Sequence, residues 1–400
     1  MPEEIRSLLE GVAWPVALAV AWVAGELGQR WLRLPRISCY GIAGFAMASG
    51  QGGFLPDPSG QTFAFLADFA FGLILFELGY RINLAWLRFN PWLGVTSVVE
   101  ASATFVAVFA VATFFDVQIV PALLLSSIAM STSPAAVVRV INESGGSGQV
   151  TERTLHLSAF NCILAAVAFK VIVGYWVAAS AGDIPHALWN SVVLVAVSAA
   201  LGALGGVAVP ALLRGVGSAE RDATIAFALG VLILTAATHA LRFSPLLATL
   251  AFGLVARSRR VVLSQAQRNF GALGDLLVVL LFVFVSATLD WRRVVEGAQL
   301  ALAVIGARLA AKTVATTLLA RASGITLRKG VLTGLALTPL SVFAILLLEQ
   351  TRHFRLGLLD DVAAVAGVVL VLEIFGPLVT RIALAWAGEA RTRTGGGRGT

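Results

Sequence analysis

Residues 126–149 read SSIAMSTSPAAVVRVINESGGSGQ. The run Ser131-Thr132-Ser133-Pro134 interrupts a stretch that is otherwise as apolar as a membrane helix. Proline lacks the backbone N–H that a helix interior needs, and neighbouring hydroxyls can bind the backbone groups that a break releases. The stretch therefore predicts two half-helices joined by a short non-helical segment.

A second interruption of the same kind reads Thr338-Pro339-Leu340-Ser341. It lies at the corresponding position of a span predicted to run in the opposite direction. At 1.5 Å per residue, Thr132 and Thr338 are both about 14 Å from the inner ends of their spans. Paired broken helices in two inverted halves indicate the binding site of a secondary transporter. A pair of ordinary proline kinks is the alternative interpretation.

The composition places the whole chain in a membrane. Of its 400 residues, 58% are hydrophobic and only 13% charged, and the mean hydropathy is +0.88. Soluble domains are about 45–50% apolar and about 25% charged. Soluble enzymes, nucleic-acid-binding proteins and secreted disulfide-rich proteins are therefore excluded. No nucleophile, resident metal or phosphate motif indicates an enzyme, and no cofactor is expected.

A membrane helix needs about 20 apolar residues. We predict an all-α polytopic membrane protein with about thirteen such helices. They lie at 11–28, 37–52, 62–79, 92–114, 119–141, 154–180, 187–213, 222–241, 244–257, 269–287, 297–320, 329–350 and 361–385. With the N-terminus outside, most of the 29 lysines and arginines fall in inner loops, as the positive-inside rule requires. This predicts an outer N-terminus and a cytoplasmic C-terminus.

Several polar residues share the depth of the two interruptions. Lys312, Glu100, Asn161 and Cys162 all lie about 10–12 Å from the inner ends of their helices, and Arg308 lies one turn from Lys312 on the same face. Ionisable groups at such depths are costly and usually functional. We expect Arg308 or Lys312 to pair with an acidic side chain.

The order and spacing of these motifs resemble the monovalent cation:proton antiporter family, the bacterial Na+/H+ or K+/H+ exchanger type. The resemblance rests on residues 126–149 and on seven further stretches. These are FGLILFELGYRINL (71–84), LHLSAFNCILA (155–165), SPLLATLAFGLVARSRR (244–260), LLFVFVSATLDW (280–291), GARLAAK (306–312), GLALTPLSVFAI (334–345) and LEIFGPLVTRIALAWAGEA (372–390).

The resemblance implies an inverted-repeat transporter in a bacterial inner membrane, with a mobile core, a scaffold and a homodimer. One exchanger domain would span 1–387, with core helices at about 92–180 and 297–385 and scaffold helices mainly at 11–52 and 187–257. Residues 388–400 are predicted to be a disordered cytoplasmic tail. The partners implied are Na+ or K+, H+ and lipid, with no nucleic acid.

One position departs from the family pattern. The family carries an Asp-Asp or Asn-Asp pair in its sixth helix, and the second Asp carries the ion and the proton. Here the pair reads Asn161-Cys162. A thiol is a soft ligand with a pKa of about 8.5, unlike the hard oxygen ligands that Na+ and K+ need.

The implied ion site contains Thr132, Ser133, Pro134, Asn161, Cys162, Arg308, Lys312, Thr338 and Pro339. Glu100 or Glu373 would replace the missing aspartate as the carrier of the ion and the proton, or Lys170 would make the site cationic. The plainer interpretation of Lys170 is a lysine that is paired or that reaches the membrane interface. The plainer interpretation of Glu373 is a pairing with Arg308 or Lys312. Three functions follow: a cation:proton antiporter with a shifted carrier, a transporter of altered or anionic substrate, or a non-transporting regulatory paralogue.

Overall fold

The computed structural model describes residues 3–32, 34–56, 61–82, 89–181, 184–216, 223–241, 243–259, 270–341 and 364–390. These residues are almost entirely helical, and their one bridge outside the helices joins Ala48 and Leu55. The helices are α1 Glu3–Leu27, α2 Arg36–Met47, α3 Gln61–Arg81, α4 Pro91–Phe114, α5 Ile119–Met130, α6 Pro134–Ser144, α7 Gln149–Ala181, α8 Ile184–Val216, α9 Ala223–Ala240, α10 Pro245–Ser258, α11 Gly271–Ala287, α12 Trp291–Glu296, α13 Ala298–Leu318, α14 Leu327–Ala336 and α15 Ala364–Trp386.

The helices follow the predicted spans, and the all-α polytopic fold is confirmed. In the described ranges, eight helical stretches are long and apolar enough to cross a membrane, and two shorter apolar helices accompany them. The predicted span 37–52 ends early, because α2 stops at Met47 and a short 3₁₀ turn follows. In the predicted span 329–350, residues 342–350 lie outside the described residues.

The first predicted interruption separates two helices, and a helix ends at the second. Helix α5 ends at Met130 and α6 begins at Pro134, where the Ser133 hydroxyl caps the new helix by accepting from the backbone N–H of Ala136 at 3.2 Å. Helix α14 ends at Ala336, and residues 337–341 are non-helical. The two breaks touch, since the Ser133 N–H donates to the Pro339 carbonyl at 3.0 Å.

Extensive helix contacts occur in two groups of helices. Helix α13 packs against α4 and α14, and α5 packs against α4 and α7. In the other group, α10 packs against α3 and α8, and α2 packs against α1 and α11. The division into a mobile core and a scaffold stays a prediction, because one arrangement of the chain carries no information about motion.

The disordered tail was predicted to begin at residue 388, which is before the end of the described structure. Glu389 is 9% exposed, and its carboxylate accepts from the backbone N–H groups of Val150 and Thr151 at 3.0 and 2.8 Å. A carboxylate is stabilised at a helix N-terminus, because four backbone donors are unpaired there. Glu389, which lies after the last described helix, therefore caps the N-terminus of α7. The remainder of the predicted tail, 391–400, lies outside the described residues.

Glycines bring α3 and α10 into close contact. A Cβ added to Gly253 would overlap the carbonyl oxygen of Phe76, and one added to Gly79 would overlap that of Leu250. Small residues at helix interfaces allow the backbones of membrane helices to approach each other, which maximises packing where no hydrophobic effect drives association.

We expect Gly253→Ala to lower the free energy of unfolding by about 1–3 kcal/mol, because the methyl group must push two backbones apart. Gly306→Ala is the matched control, since a Cβ there meets nothing within 4 Å and alanine is the better helix former. Thermal unfolding in detergent measures both. Equal unfolding temperatures for the two variants would contradict the close packing of α3 and α10.

Candidate functional site

The first part of the candidate site joins α7 to the two breaks. The Cys162 thiol donates to the Thr132 carbonyl at 3.2 Å and contacts the Ser341 hydroxyl at 3.8 Å. The Asn161 amide donates to the Thr132 hydroxyl at 3.3 Å, and that hydroxyl donates to the Leu337 carbonyl at 3.3 Å. Residues of both breaks and of α7 therefore meet in one polar cluster.

Arg308 lies at the centre of the crossing between the breaks. Its fully buried guanidinium donates to the carbonyl oxygens of five residues, two at the end of α5 and three after the end of α14. These are Ala129 (2.9 Å), Ser131 (2.7 Å), Leu337 (3.2 Å), Thr338 (2.6 Å) and Pro339 (3.3 Å). Arg308 thus lies in a cage of carbonyl oxygens, which suits the five N–H donors of a guanidinium.

Lys312 and Glu100 form a buried ion pair beside this cage. Both side chains have no exposed surface, and the Lys312 ammonium donates to Glu100 Oε1 and, at 3.0 Å, to the Met130 carbonyl. The Thr104 hydroxyl contacts the same carboxylate oxygen at 3.4 Å. Among the described residues, Glu100 Oε2 has no hydrogen-bond partner. The expectation of an acidic partner for Arg308 or Lys312 is confirmed for Lys312.

The positive charges of Arg308 and Lys312 are each offset by neighbouring groups. A helix C-terminus carries about −0.5 charge, so the ends of α5 and α14 together offset the positive charge of Arg308. Glu100 offsets that of Lys312. A further monovalent cation entering this buried cluster would upset the balance unless a positive charge left at the same time, because an uncompensated buried charge costs several kcal/mol.

Glu373 lies elsewhere than predicted. It does not contact Arg308 or Lys312; the Ser286 hydroxyl of α11 donates to its Oε1 at 3.3 Å. Lys170 is partly exposed and lies eight residues beyond Cys162 on α7, which is more than two helical turns. The structure therefore brings Glu100, but neither Glu373 nor Lys170, into contact with the groups that line the crossing.

Two hydroxyl side chains that contact Asn161 and Cys162 were missing from the predicted set. Ser97 donates to the Asn161 side-chain oxygen at 3.4 Å, and Ser341 contacts Cys162. Ser97 lies three residues before Glu100, on the same face of α4, so helical spacing alone would have included it. Ser341 ends the second interruption and mirrors the hydroxyls of the first.

Comparison with known proteins identifies the architecture. The family model described as "Sodium/hydrogen exchanger, transmembrane" matches residues 16–386. The chain belongs to the sodium/hydrogen exchanger family. No match was found among curated proteins.

Two solved structures of the sodium proton antiporter MjNhaP1 from Methanocaldococcus jannaschii share the fold. The structure at pH 8 has 16% identity and a TM-score of 0.69, covering 96% of this chain and 97% of MjNhaP1. The electron-microscopy structure has 16% identity and a TM-score of 0.73, covering 94% and 95%. At this identity, the likeness establishes a common fold for nearly the whole of both chains.

We expect Lys312→Met to lower the free energy of unfolding by about 3–5 kcal/mol, because it leaves the Glu100 carboxylate buried without a partner. Adding Glu100→Leu should recover most of this loss, since both charges are then gone. Chemical or thermal unfolding of the single and double variants measures the coupling.

Lys329→Met is the control for this cycle. Lys329 is partly exposed and 3.8 Å from Glu389, whose carboxylate keeps three other donors at the start of α7, so its loss should cost about 0–1 kcal/mol, as for an exposed pair. A double variant no more stable than Lys312→Met would contradict the buried ion pair.

Proposed function

We propose that this chain exchanges a monovalent cation, Na+ or K+, for protons by alternating access, with Glu100 replacing the missing aspartate of α7. The observation that carries the proposal is the buried Glu100–Lys312 pair beside the breaks. It supplies a carboxylate for a hard cation and an amine that can release a proton, at the place where the family's fold brings its broken helices together.

Competition for one carboxylate would couple the two ions. A cation that reaches Glu100 takes over the carboxylate and the Met130 carbonyl, and Lys312 then loses both of its acceptors. An ammonium left without acceptors in a buried site is unstable, so its proton leaves to the same side of the membrane. When the cation leaves on the other side, Lys312 takes up a proton there and pairs with Glu100 again.

This exchange keeps the charge of the crossing constant. One positive charge arrives with the cation and one departs with the proton, while Arg308 continues to offset the two helix ends. The proposal therefore needs no carboxylate at Cys162, whose thiol and neighbouring hydroxyls would supply only polar contacts to the moving cation.

The proposal includes the orientation of the chain in the membrane and its oligomeric state. We place the N-terminus outside and the C-terminus in the cytoplasm of a bacterial inner membrane, because of the arginine-rich inner loops. We also propose a homodimer formed by scaffold helices that include α1. Val16 and Trp22 expose an apolar side of α1, suited to lipid or to a second subunit.

A non-transporting regulatory paralogue is the second candidate. It is favoured by Arg308, whose guanidinium joins the carbonyls of both breaks and occupies oxygens that would otherwise coordinate a cation. An anion transporter of the same fold is the third reading, since the α6 N-terminus carries partial positive charge near the uncharged Cys162.

Proton movement in proteoliposomes tests these candidates. We expect a preset pH gradient to dissipate on adding Na+ or K+, and Glu100→Gln to abolish this response because a neutral amide neither binds the cation strongly nor holds Lys312 charged. Glu296→Gln, which removes an exposed carboxylate on α12, is the control and should leave exchange unchanged. A response to anions alone, or to no ion, would overturn the proposal in favour of the corresponding alternative.

Cys162→Asp tests the geometry of α7. It places a carboxylate between Thr132 and Ser341, where both breaks contact Cys162, and we expect it to create or strengthen Na+- or K+-dependent proton exchange. Cys162→Ser, which adds no ionisable group, should not do so. A folded, dimeric Cys162→Asp variant without any cation response would show that this position does not face the transport path or that the core no longer moves.

A further inference from the structure

A second buried carboxyl group lies apart from the Glu100–Lys312 pair. Glu373 on α15 is 4% exposed, and its Oε2 has no hydrogen-bond partner among the described residues. Its only described hydrogen bond comes from the Ser286 hydroxyl, at 3.3 Å from Oε1. Buried carboxylates are normally paired with a cation or held by several donors, because the ionised form is costly in a medium of low dielectric.

Glu373 lies where two groups of helices meet. Its own helix belongs to the group that carries the breaks, since a Cβ on Gly376 would overlap Pro339 and the Thr380 hydroxyl donates to the Ala336 carbonyl at 3.0 Å. Its carboxyl group instead faces α2 and α11. A Cβ on Gly41 of α2 would lie 3.2 Å from the Ser286 hydroxyl and 3.9 Å from Glu373 Oε1.

In the described ranges, Glu373 forms no ion pair with any charged or titratable group on the helices that pack against α15. Helix α13 carries Arg308 and Lys312, which bind the carbonyl cage and Glu100. On the remaining neighbours, α2, α6, α11, α12 and α14, the ionisable side chains are Arg36, Cys39, Tyr40, Arg139, Glu143, Asp275, Arg292, Arg293, Glu296, Arg328 and Lys329.

We propose that Glu373 is a proton-binding site separate from the exchange pair, and that its carboxyl group must be neutral for the helices that carry the breaks to slide along α2 and α11. The inference rests on the alternating access of the proposed function. An ionised Glu373 would have to leave the Ser286 hydroxyl and cross the apolar surface of α11 as a bare charge. A protonated carboxyl group can make the same movement without that cost.

This role differs from that of a carrier. Glu373 stays protonated through both directions of the cycle, so it adds no proton to the exchange ratio. It sets the pH above which exchange stops, because deprotonation leaves a charge at the boundary between the two helix groups.

The test compares the pH dependence of Glu373→Gln with that of the unchanged protein. Glutamine has the shape of the neutral carboxyl group and cannot ionise, so we expect exchange to continue at alkaline pH where the unchanged protein slows. Ser286→Ala, which removes the one donor to this carboxyl group in the described part of the chain, should extend exchange in the same direction. Glu296→Gln should leave the pH profile unchanged.

A second readout does not depend on transport. The infrared carbonyl-stretching band of a buried protonated carboxyl group should disappear on raising the pH of the purified dimer, and should be missing from Glu373→Gln but present in Glu296→Gln. No such difference between the two variants would overturn the proton site. Failure of the unchanged protein to exchange any ion would overturn the proposed function, and the infrared titration would still decide whether Glu373 binds a proton.

Two transport results would also overturn the gating role. Loss of exchange at every pH in a folded Glu373→Gln variant would make Glu373 a carrier. A pH profile of Glu373→Gln identical to that of the unchanged protein would make it structural.

Discussion

The crossing depends on the contacts of one guanidinium with the carbonyl oxygens of two interrupted helices. Breaking a helix in a membrane leaves carbonyl groups that water cannot reach, and each such group costs several kcal/mol unless it is paired. Arg308 pairs with five of them at once and brings α5 and α14 end to end. The Thr132 hydroxyl is a second donor to the Leu337 carbonyl, and the Ser133 hydroxyl accepts from a backbone N–H, which a guanidinium cannot do.

The acidic side chain next to the breaks lies on α4. The resemblance of the sequence to cation:proton antiporters implies an aspartate on α7, where this chain has Cys162, whose thiol contacts both breaks. Glu100 on α4 is paired with Lys312 rather than with Arg308. The two basic residues of α13 therefore make different contacts: Arg308 joins the breaks, and Lys312 is paired with a carboxylate.

The sequence predicted the parts of this site that depend on position along a helix. The two interruptions, the depth shared by Lys312, Glu100 and Asn161, and an acidic partner for Arg308 or Lys312 all follow from spacing and from the cost of buried charge. It did not predict which way Glu100 and Glu373 point, because α4 and α15 are apolar on nearly every side and such a pattern leaves rotation about the helix axis undetermined. The sequence also did not predict the carbonyl cage around Arg308, because every residue has a backbone carbonyl and no sequence pattern marks the ones that accept a hydrogen bond.

The cap that Glu389 places on α7 has a consequence for biosynthesis. Helix α7 carries Asn161 and Cys162, yet the carboxylate that closes its first turn lies more than two hundred residues later in the chain. The first N–H groups of α7 cannot donate to this carboxylate until the second half of the protein has been synthesised. The cap on this helix is therefore one of the last contacts that can form during assembly.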